Sequence, residues 1–335
     1  MSKRRWIWWA GGLGAVGGAG ALAYSLWPRS HAAAEPLPRA TEGPLIADEQ
    51  WDSDYAYVNE RLKRRRITPD WETEVFDEGE GEPILCIPIV THVEVIYARQ
   101  LREFGRDHRV ITYRRPEGKD RPISIPERAE EVRRLLDGLG LDRVHILARS
   151  EGAMVAAEFA RRYPERCRSL VMITIAMDYT VQPVIMTDFK NWFMEHLPIE
   201  KLVTDDAVRH EVVSYLSGAG QRLTYDQVMR VYKHIPDFRL MYKYSAVPLI
   251  LHHDLRGKAQ QITVPTLLIG SDEDERGTRE GLDELAAALP DCRGAHLIPQ
   301  GGLFVNYIQG DETNRLIRDF YRQLSAGVAQ TTAAR

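Results

Sequence analysis

The stretch Val144–Ala157, VHILARSEGAMVAA, constrains this chain more than any other. Val144, Ile146 and Leu147 form a short apolar run, and Ser150 follows within Ala148-Arg149-Ser150-Glu151-Gly152. A helical pattern then runs through Ala153, Val155, Ala156, Phe159 and Ala160, and closes at Arg161-Arg162 before Pro164. A strand that turns directly into a helix with a serine at the bend is the context of a nucleophile elbow. Small residues two before and two after the serine let strand and helix approach closely. The bend can hold the serine in a strained conformation with its hydroxyl above the sheet edge. The backbone N–H of Glu151 opens the helix and can face a developing oxyanion.

A chain of 335 residues, 44% hydrophobic and 27% charged, can bury a sizeable core. The net charge of −4, with both signs interspersed, excludes a dedicated nucleic-acid binder. Cys86, Cys167 and Cys292 are sparse and odd in number, which suits neither a disulfide framework nor a metal site. No cofactor and no metal are expected.

Ser2-Lys3-Arg4-Arg5 precedes Trp6–Trp27, 22 residues without a charge and long enough to cross a bilayer. Trp6, Trp8, Trp9, Tyr24 and Trp27 suit the two interfaces, and the basic cluster keeps the N-terminus on the cytoplasmic side with the bulk of the chain outside. Two readings stay open. One is an uncleaved single-pass anchor over residues 1–27. The other is an export signal, twin-arginine in style, cut near Ala34. Within this segment Gly12-Leu13-Gly14-Ala15-Val16-Gly17 matches G-x-G-x-x-G, but no strand precedes it, so it is no dinucleotide site.

Residues 28–50 read as a Pro/Ala/Glu-rich linker. Trp51–Ile67 is expected to be helical and carries Lys63-Arg64-Arg65-Arg66, a solvated face or a basic surface near anionic lipid. Trp71–Phe76 alternates ahead of the hairpin signal Gly79-Glu80-Gly81. Pro83–Val90 is a continuous apolar strand, Val95–Phe104 a helix and Arg109–Tyr113 a strand. Ser124-Ile125-Pro126-Glu127 is a capping box that opens a helix to about Leu139. Ser169–Ile175 is a further strand. Residues 180–260 read as a helical lid. Strands return at Val264–Gly270 and Ala295–Ile298, with helices over Arg279–Leu289 and Thr313–Leu324 and a disordered tail at 327–335. Such alternation means a mostly parallel sheet covered on both faces, with core parts at 51–179 and 261–326. Ligands of such sheets bind at the strands' carboxyl ends.

From about Trp71 to Leu324 these features resemble the α/β-hydrolase fold family: the serine elbow, the Val-Pro-Thr-Leu-Leu-Ile-Gly strand before an acidic cluster, and the Arg-Asp-Phe final helix. The resemblance implies a nucleophile after the fifth strand, an acid after the seventh, a histidine after the eighth and an oxyanion donor after the third. The nucleophile position is Ser150, which implies acyl chemistry. The acid position falls on Glu273 or, with a longer loop, Asp274; Asp178 after the sixth strand is a further candidate.

The histidine position departs from the family. Relatives read roughly Pro-x-x-Gly-His-Phe, whereas this chain reads Pro299-Gln300-Gly301-Gly302-Leu303-Phe304. Leu303 cannot accept a proton, and loss of a triad base costs several orders of magnitude in rate. His296 is expected at the start of its strand, the wrong end of the sheet. The oxyanion loop also departs, with Pro88-Ile89 in place of His-Gly, so Ile89 or Val90 would supply the backbone donor. His92 could replace the missing base with Glu94 as its orienter, or simply pack under the lid. His252-His253-Asp254 suits a helix surface better than a metal, because adjacent helical residues point about 100° apart. His145 should pack against a flanking helix. Tyr225, Tyr232, Phe238, Tyr242 and Tyr244 belong to the lid core or line an apolar pocket.

Three functions fit: a serine hydrolase or acyl transferase on a small, fairly apolar ester-like substrate with a non-standard base; a non-catalytic binding or scaffold protein; and a lyase or cyclase on the same fold. The partners expected are a small-molecule substrate or ligand, and a membrane through residues 6–27.

Overall fold

The computed structural model describes residues 46–178, 203–217, 222–274 and 279–333, with 198 and 201; side chains are described to residue 326. The stretch 6–27, the linker to residue 45 and the part of the lid over 180–197 lie outside the described residues. Among the described residues no helix is long and apolar enough to cross a membrane.

Eight strands form one sheet in the order β1-β2-β4-β3-β5-β6-β7-β8. They are β1 (Lys63–Thr68), β2 (Trp71–Glu78), β3 (Pro83–Ile87), β4 (Arg109–Tyr113), β5 (Val144–Arg149), β6 (Cys167–Ile173), β7 (Thr266–Ser271) and β8 (Cys292–Ile298). β1 and β2 are antiparallel, as are β2 and β4, while β4, β3, β5, β6, β7 and β8 run parallel. β5 and β7 are buried along their whole length because they sit mid-sheet with helices on both faces.

Alternation along the strands divides the core. Phe76, Ile84, Cys86, Leu147, Val171 and Ile269 face one side. There they meet α1 (Asp48–Arg61), α2 (Ala98–Phe104) and the long C-terminal helix. Val75, Leu85, Ile146, Met172 and Leu268 face the other side, against α3 (Ile125–Gly138) and α4 (Glu151–Arg162). Each large apolar side chain so buried contributes about 1.5–3 kcal/mol. The capping box on α3 forms as its residues require: Glu127 N–H donates to Ser124 Oγ at 3.4 Å, and Ser124 N–H donates to Glu127 Oε2 at 2.9 Å.

Between β6 and β7 the described chain forms α5 (Asp205–Leu216), α6 (Tyr225–Tyr232), α7 (Phe238–Met241), a π-helical turn at Tyr242–Ala246 and α8 (Val247–His252). Tyr232 and Phe238 are buried there, and Val228, Val231 and Phe238 belong to the same apolar cluster as Val90 and Val93 of the loop after β3. After β7 follow α9 (Arg279–Ala288), β8, α10 (Val305–Ile308) and α11 (Gly310–Ala333).

Four expectations are corrected. The helix expected over Trp51–Ile67 ends at Arg61, and Lys63–Thr68 becomes an edge strand. Lys and Arg favour helix locally, but pairing with β2 and burial of Ile67 decide otherwise. Gly79-Glu80-Gly81 makes no hairpin, since β4 lies between β2 and β3. Its glycines serve a close pass instead: at Gly81, φ +116°, a Cβ would lie 2.7 Å from the Asp107 carbonyl oxygen. The final helix runs on to Ala333 through the segment expected to be a disordered tail. His253 is buried rather than on a helix surface, with its Nε2 2.9 Å from the Ala176 carbonyl oxygen.

Candidate active site

Ser150 sits at the turn from β5 into α4 with φ +47° and ψ −122°, a conformation costly for any residue with a Cβ. The surroundings hold it there. Ser150 N–H donates to the Ile173 carbonyl at 2.8 Å, and its own carbonyl accepts from Ala153 N–H at 2.9 Å. Gly152 lets α4 press against the end of β3, because a Cβ there would lie 2.7 Å from the Ile87 carbonyl oxygen. The Tyr97 hydroxyl, fully buried, clamps the same junction: it accepts from Arg149 N–H at 3.0 Å and donates to the Ile87 carbonyl at 2.8 Å. Tyr97 was not legible as a site residue, since it lies 53 positions before Ser150 in a stretch that reads as plain helix. Ser150 is 8% exposed, and its side chain makes no capping bond to α4. The first-turn N–H of Glu151 is one of the donors a helix leaves without an intrahelical partner.

The loop after β3 brings Ile89 and Val90 to this edge, both buried. The loop's left-handed residue is His92, φ +68°, rather than Ile89. Two carboxylates hold its backbone. Thr91 N–H donates to Glu117 Oε1 at 2.8 Å, and His92 N–H donates to Glu94 Oε1 at 2.9 Å. Glu94 therefore engages the backbone of His92 and does not orient its ring through that bond. Burial, with Arg114 opposing, pushes the Glu94 carboxyl up to about 7; Arg114 Nε lies 3.7 Å from it. Burial and the Arg114 charge pull the His92 imidazole down to about 4, so the ring is neutral at pH 7.

A buried ionic chain extends from the elbow. Arg115 Nη2 donates to Glu151 Oε1 at 2.6 Å, and Arg115 Nε donates to Glu117 Oε1 at 3.0 Å. Arg128 Nη2 donates to Glu117 Oε2 at 3.0 Å, and Arg128 Nη1 to Glu131 Oε2 at 2.6 Å. Burial raises the Glu117 carboxyl, but Arg115 and Arg128 outweigh it and hold it below the usual range. At Glu151 burial prevails over Arg115 and the carboxyl is raised.

The positions where the acid is expected lie after β7. Glu273 and Asp274 come one residue after the end of β7, and Glu273 Oε1 accepts from Arg222 Nη2 at 3.1 Å. Burial raises the Glu273 carboxyl against the pull of Arg222. Ser271 Oγ accepts from Gly301 N–H at 3.2 Å and Gly302 N–H at 2.9 Å, which ties the end of β7 to the loop after β8. That loop presents Leu303, 3% exposed, at the position where the family resemblance implies histidine. Its carbonyl accepts from the guanidinium of Arg149, which also lies over the Phe304 ring, Cζ 4.7 Å from the centroid. Arg149 and Glu151, the serine's neighbours, are thus both buried.

The remaining candidates make other contacts. Asp178 pairs with Arg256, Oδ2 to Nη1 3.2 Å. His296 is in the second half of β8 rather than at its start, exposed, and lines a cavity of about 380 Å³ between β8 and α11 together with Arg279 and Arg315. His145 sits at the opposite end of β5, its ring 4.6 Å from that of Tyr321 on α11. Among the described residues no group of three or more histidine, cysteine, aspartate or glutamate side chains is placed to hold a metal ion.

With an eight-stranded sheet and a strained serine between its fifth strand and the next helix, the architecture is that of an α/β hydrolase. A family model for the alpha/beta hydrolase fold matches residues 101–311, and the chain belongs to that family. It is 24% identical over 260 residues to a Variovorax paradoxus protein named "Putative carbamate hydrolase RutD", which covers 76% of this chain and 96% of that protein. Similar solved structures include a thermophilic esterase from Thermogutta terrifontis, TM-score 0.62 at 17% identity, covering 78% of this chain and 99% of that one. The meta-cleavage product hydrolase of Pseudomonas fluorescens IP01 gives TM-score 0.62 at 19% identity, covering 79% and 99%.

Proposed function

We propose that this chain is a slow serine hydrolase or acyl-transfer enzyme acting on a small, fairly apolar, ester-like substrate. The observation that carries this reading is the strained turn: Ser150 is held at φ +47° beside the Glu151 N–H and the Ile89–Val90 loop. Ser150 Oγ would attack the substrate carbonyl, the C–O bond to the alcohol would break, and water would then release the acid from the acyl-enzyme. The serine proton would pass to a neutral base and on to the departing alkoxide. His92 is the imidazole of the oxyanion loop and is neutral at pH 7. A base pulled to about 4 would accept a serine proton poorly, so slow turnover is expected. The hydrolase names of the relatives are consistent with this chemistry.

A second reading, a non-catalytic binding protein, is favoured by the occupation of the base position by Leu303 and of its surroundings by the Arg149 guanidinium. A fluorophosphonate probe separates the two. The first reading expects covalent labelling of the wild type and none of Ser150→Ala. A folded wild-type protein that resists labelling would leave the binding reading standing.

The helices over 205–252 would serve as a lid above the strand ends, and the uncharged stretch Trp6–Trp27 supports a membrane anchor with the folded part outside, or an export signal cut near Ala34. Fractionation of cells carrying the full chain and a chain beginning at residue 35 would decide between anchor and cleaved signal.

A further inference from the structure

The two expected oxyanion donors come from segments about 60 residues apart, the loop after β3 and the first turn of α4. One side chain touches the supports of both. Arg115 Nε holds Glu117 Oε1 at 3.0 Å, and that same oxygen accepts Thr91 N–H at 2.8 Å. Arg115 Nη2 holds the carboxylate of Glu151 at 2.6 Å, and the backbone N–H of Glu151 is the first donor after the nucleophile. The third nitrogen, Nη1, is buried without an acceptor among the described residues, so the fork is set by these two carboxylates alone. We propose that Arg115 is a positioning residue that sets the distance between the two halves of the oxyanion hole, one through Glu117 and Thr91 and the other through Glu151.

Geometry supports a role beyond simple charge balance. A guanidinium is a planar fork with its donors at fixed angles, so two carboxylates bound to it are held in register. A lysine ammonium in the same place carries the charge but imposes no such angle. The capture of Thr91 N–H and His92 N–H by Glu117 and Glu94 also removes those two amides as donors to substrate. That leaves Ile89 and Val90 as the loop's available donors, and their place follows from where Thr91 is pinned.

The proposal rests on the acyl-transfer reading, so its test has one arm that needs no chemistry. In the full chain, Arg115→Ala, Arg115→Lys and Glu117→Gln are compared with Glu131→Gln, which alters the far end of the same ionic chain. The first arm measures the rate of fluorophosphonate labelling at saturating probe. Loss of one well-placed oxyanion donor costs about 10²–10³-fold, and Arg115→Ala is expected to slow labelling by that order with probe affinity within about threefold. Arg115→Lys should recover little of the rate. Glu117→Gln keeps an acceptor for Thr91 N–H and should lose about tenfold. Glu131→Gln should label at near the wild-type rate.

The second arm measures amide hydrogen exchange at residues 89–94 and 150–154. Both segments should exchange faster in Arg115→Ala and Arg115→Lys, and neither in Glu131→Gln. Wild-type exchange in both segments in Arg115→Lys would overturn the proposal, as would wild-type labelling. If Arg115→Ala does not fold, Arg115→Lys and Glu117→Gln decide. If the wild type does not label, the acyl-transfer reading fails, and the exchange arm still tests the positioning role.

Discussion

The two sides of the strand-end edge are built on different terms. Around β3 and β5 the backbone is held by several close contacts. Gly152 admits the Ile87 carbonyl, Tyr97 bridges Arg149 and Ile87, and carboxylates pin successive amides of the loop after β3. Around β7 and β8 the loops are tied through Ser271 and Asp272, whose oxygens accept backbone N–H groups of the 300–302 turn, while residue 303 presents a buried apolar side chain. The geometry of Ser150 is thus part of how this fold packs, whereas the side chain at 303 sits on a loop held by other residues. A leucine is accommodated there without disturbing strand, turn or helix, because the bonds that hold the loop come from Ser271 and Asp272.

That asymmetry can be broken at its tightest point. Gly152→Val should cost about 3 kcal/mol or more, because the Ile87 carbonyl is backbone and cannot swing aside. Chemical denaturation would measure this, and a loss under about 1 kcal/mol would mean that the junction is looser than it looks. Glu94→Gln comes next and depends on pH. The folded-state carboxyl at about 7 lies above its unfolded value, so the native state binds the extra proton between about 4.5 and 7. The wild type therefore loses stability as pH rises from 5 to 8, with Arg114, Glu74 and the His92 amide as the groups facing the carboxyl. The glutamine variant should escape that loss, and its advantage over the wild type should grow by on the order of 2 kcal/mol across that range. An advantage independent of pH would show that Glu94 does not titrate there.

Ser150→Gly removes both the hydroxyl and the positive-φ penalty. It should gain about 1 kcal/mol after the entropy cost of glycine, while abolishing probe labelling. Destabilisation would mean that the turn is not strained. The smallest effect is expected on the permissive side. Leu303→His should leave thermal stability nearly unchanged and raise turnover by no more than about tenfold, because Glu273 is held by Arg222 and the Arg149 guanidinium sits against the 303 carbonyl. A gain of three orders of magnitude in ester hydrolysis would instead identify Leu303 as the single lesion of an otherwise complete triad.

Sequence alone was enough for what is local. The strand–serine–helix turn, the capping box of α3, the continuous apolar β3 and the leucine in place of histidine are readable because spacing, small residues and side-chain chemistry act over a few positions. Tertiary structure decided what depends on residues far apart. Lys63–Arg66 became a strand because β2 offered it partners. The close pass at Gly81 is set by Asp107, and His92 faces Arg114 while its amide is held by Glu94. Arg115 meets Glu151 across 36 positions, and Tyr97 meets Arg149 across 52. Such buried polar contacts leave no periodicity in the chain. Their worth comes from desolvation in the folded core, which exists only once the sheet has brought the groups together.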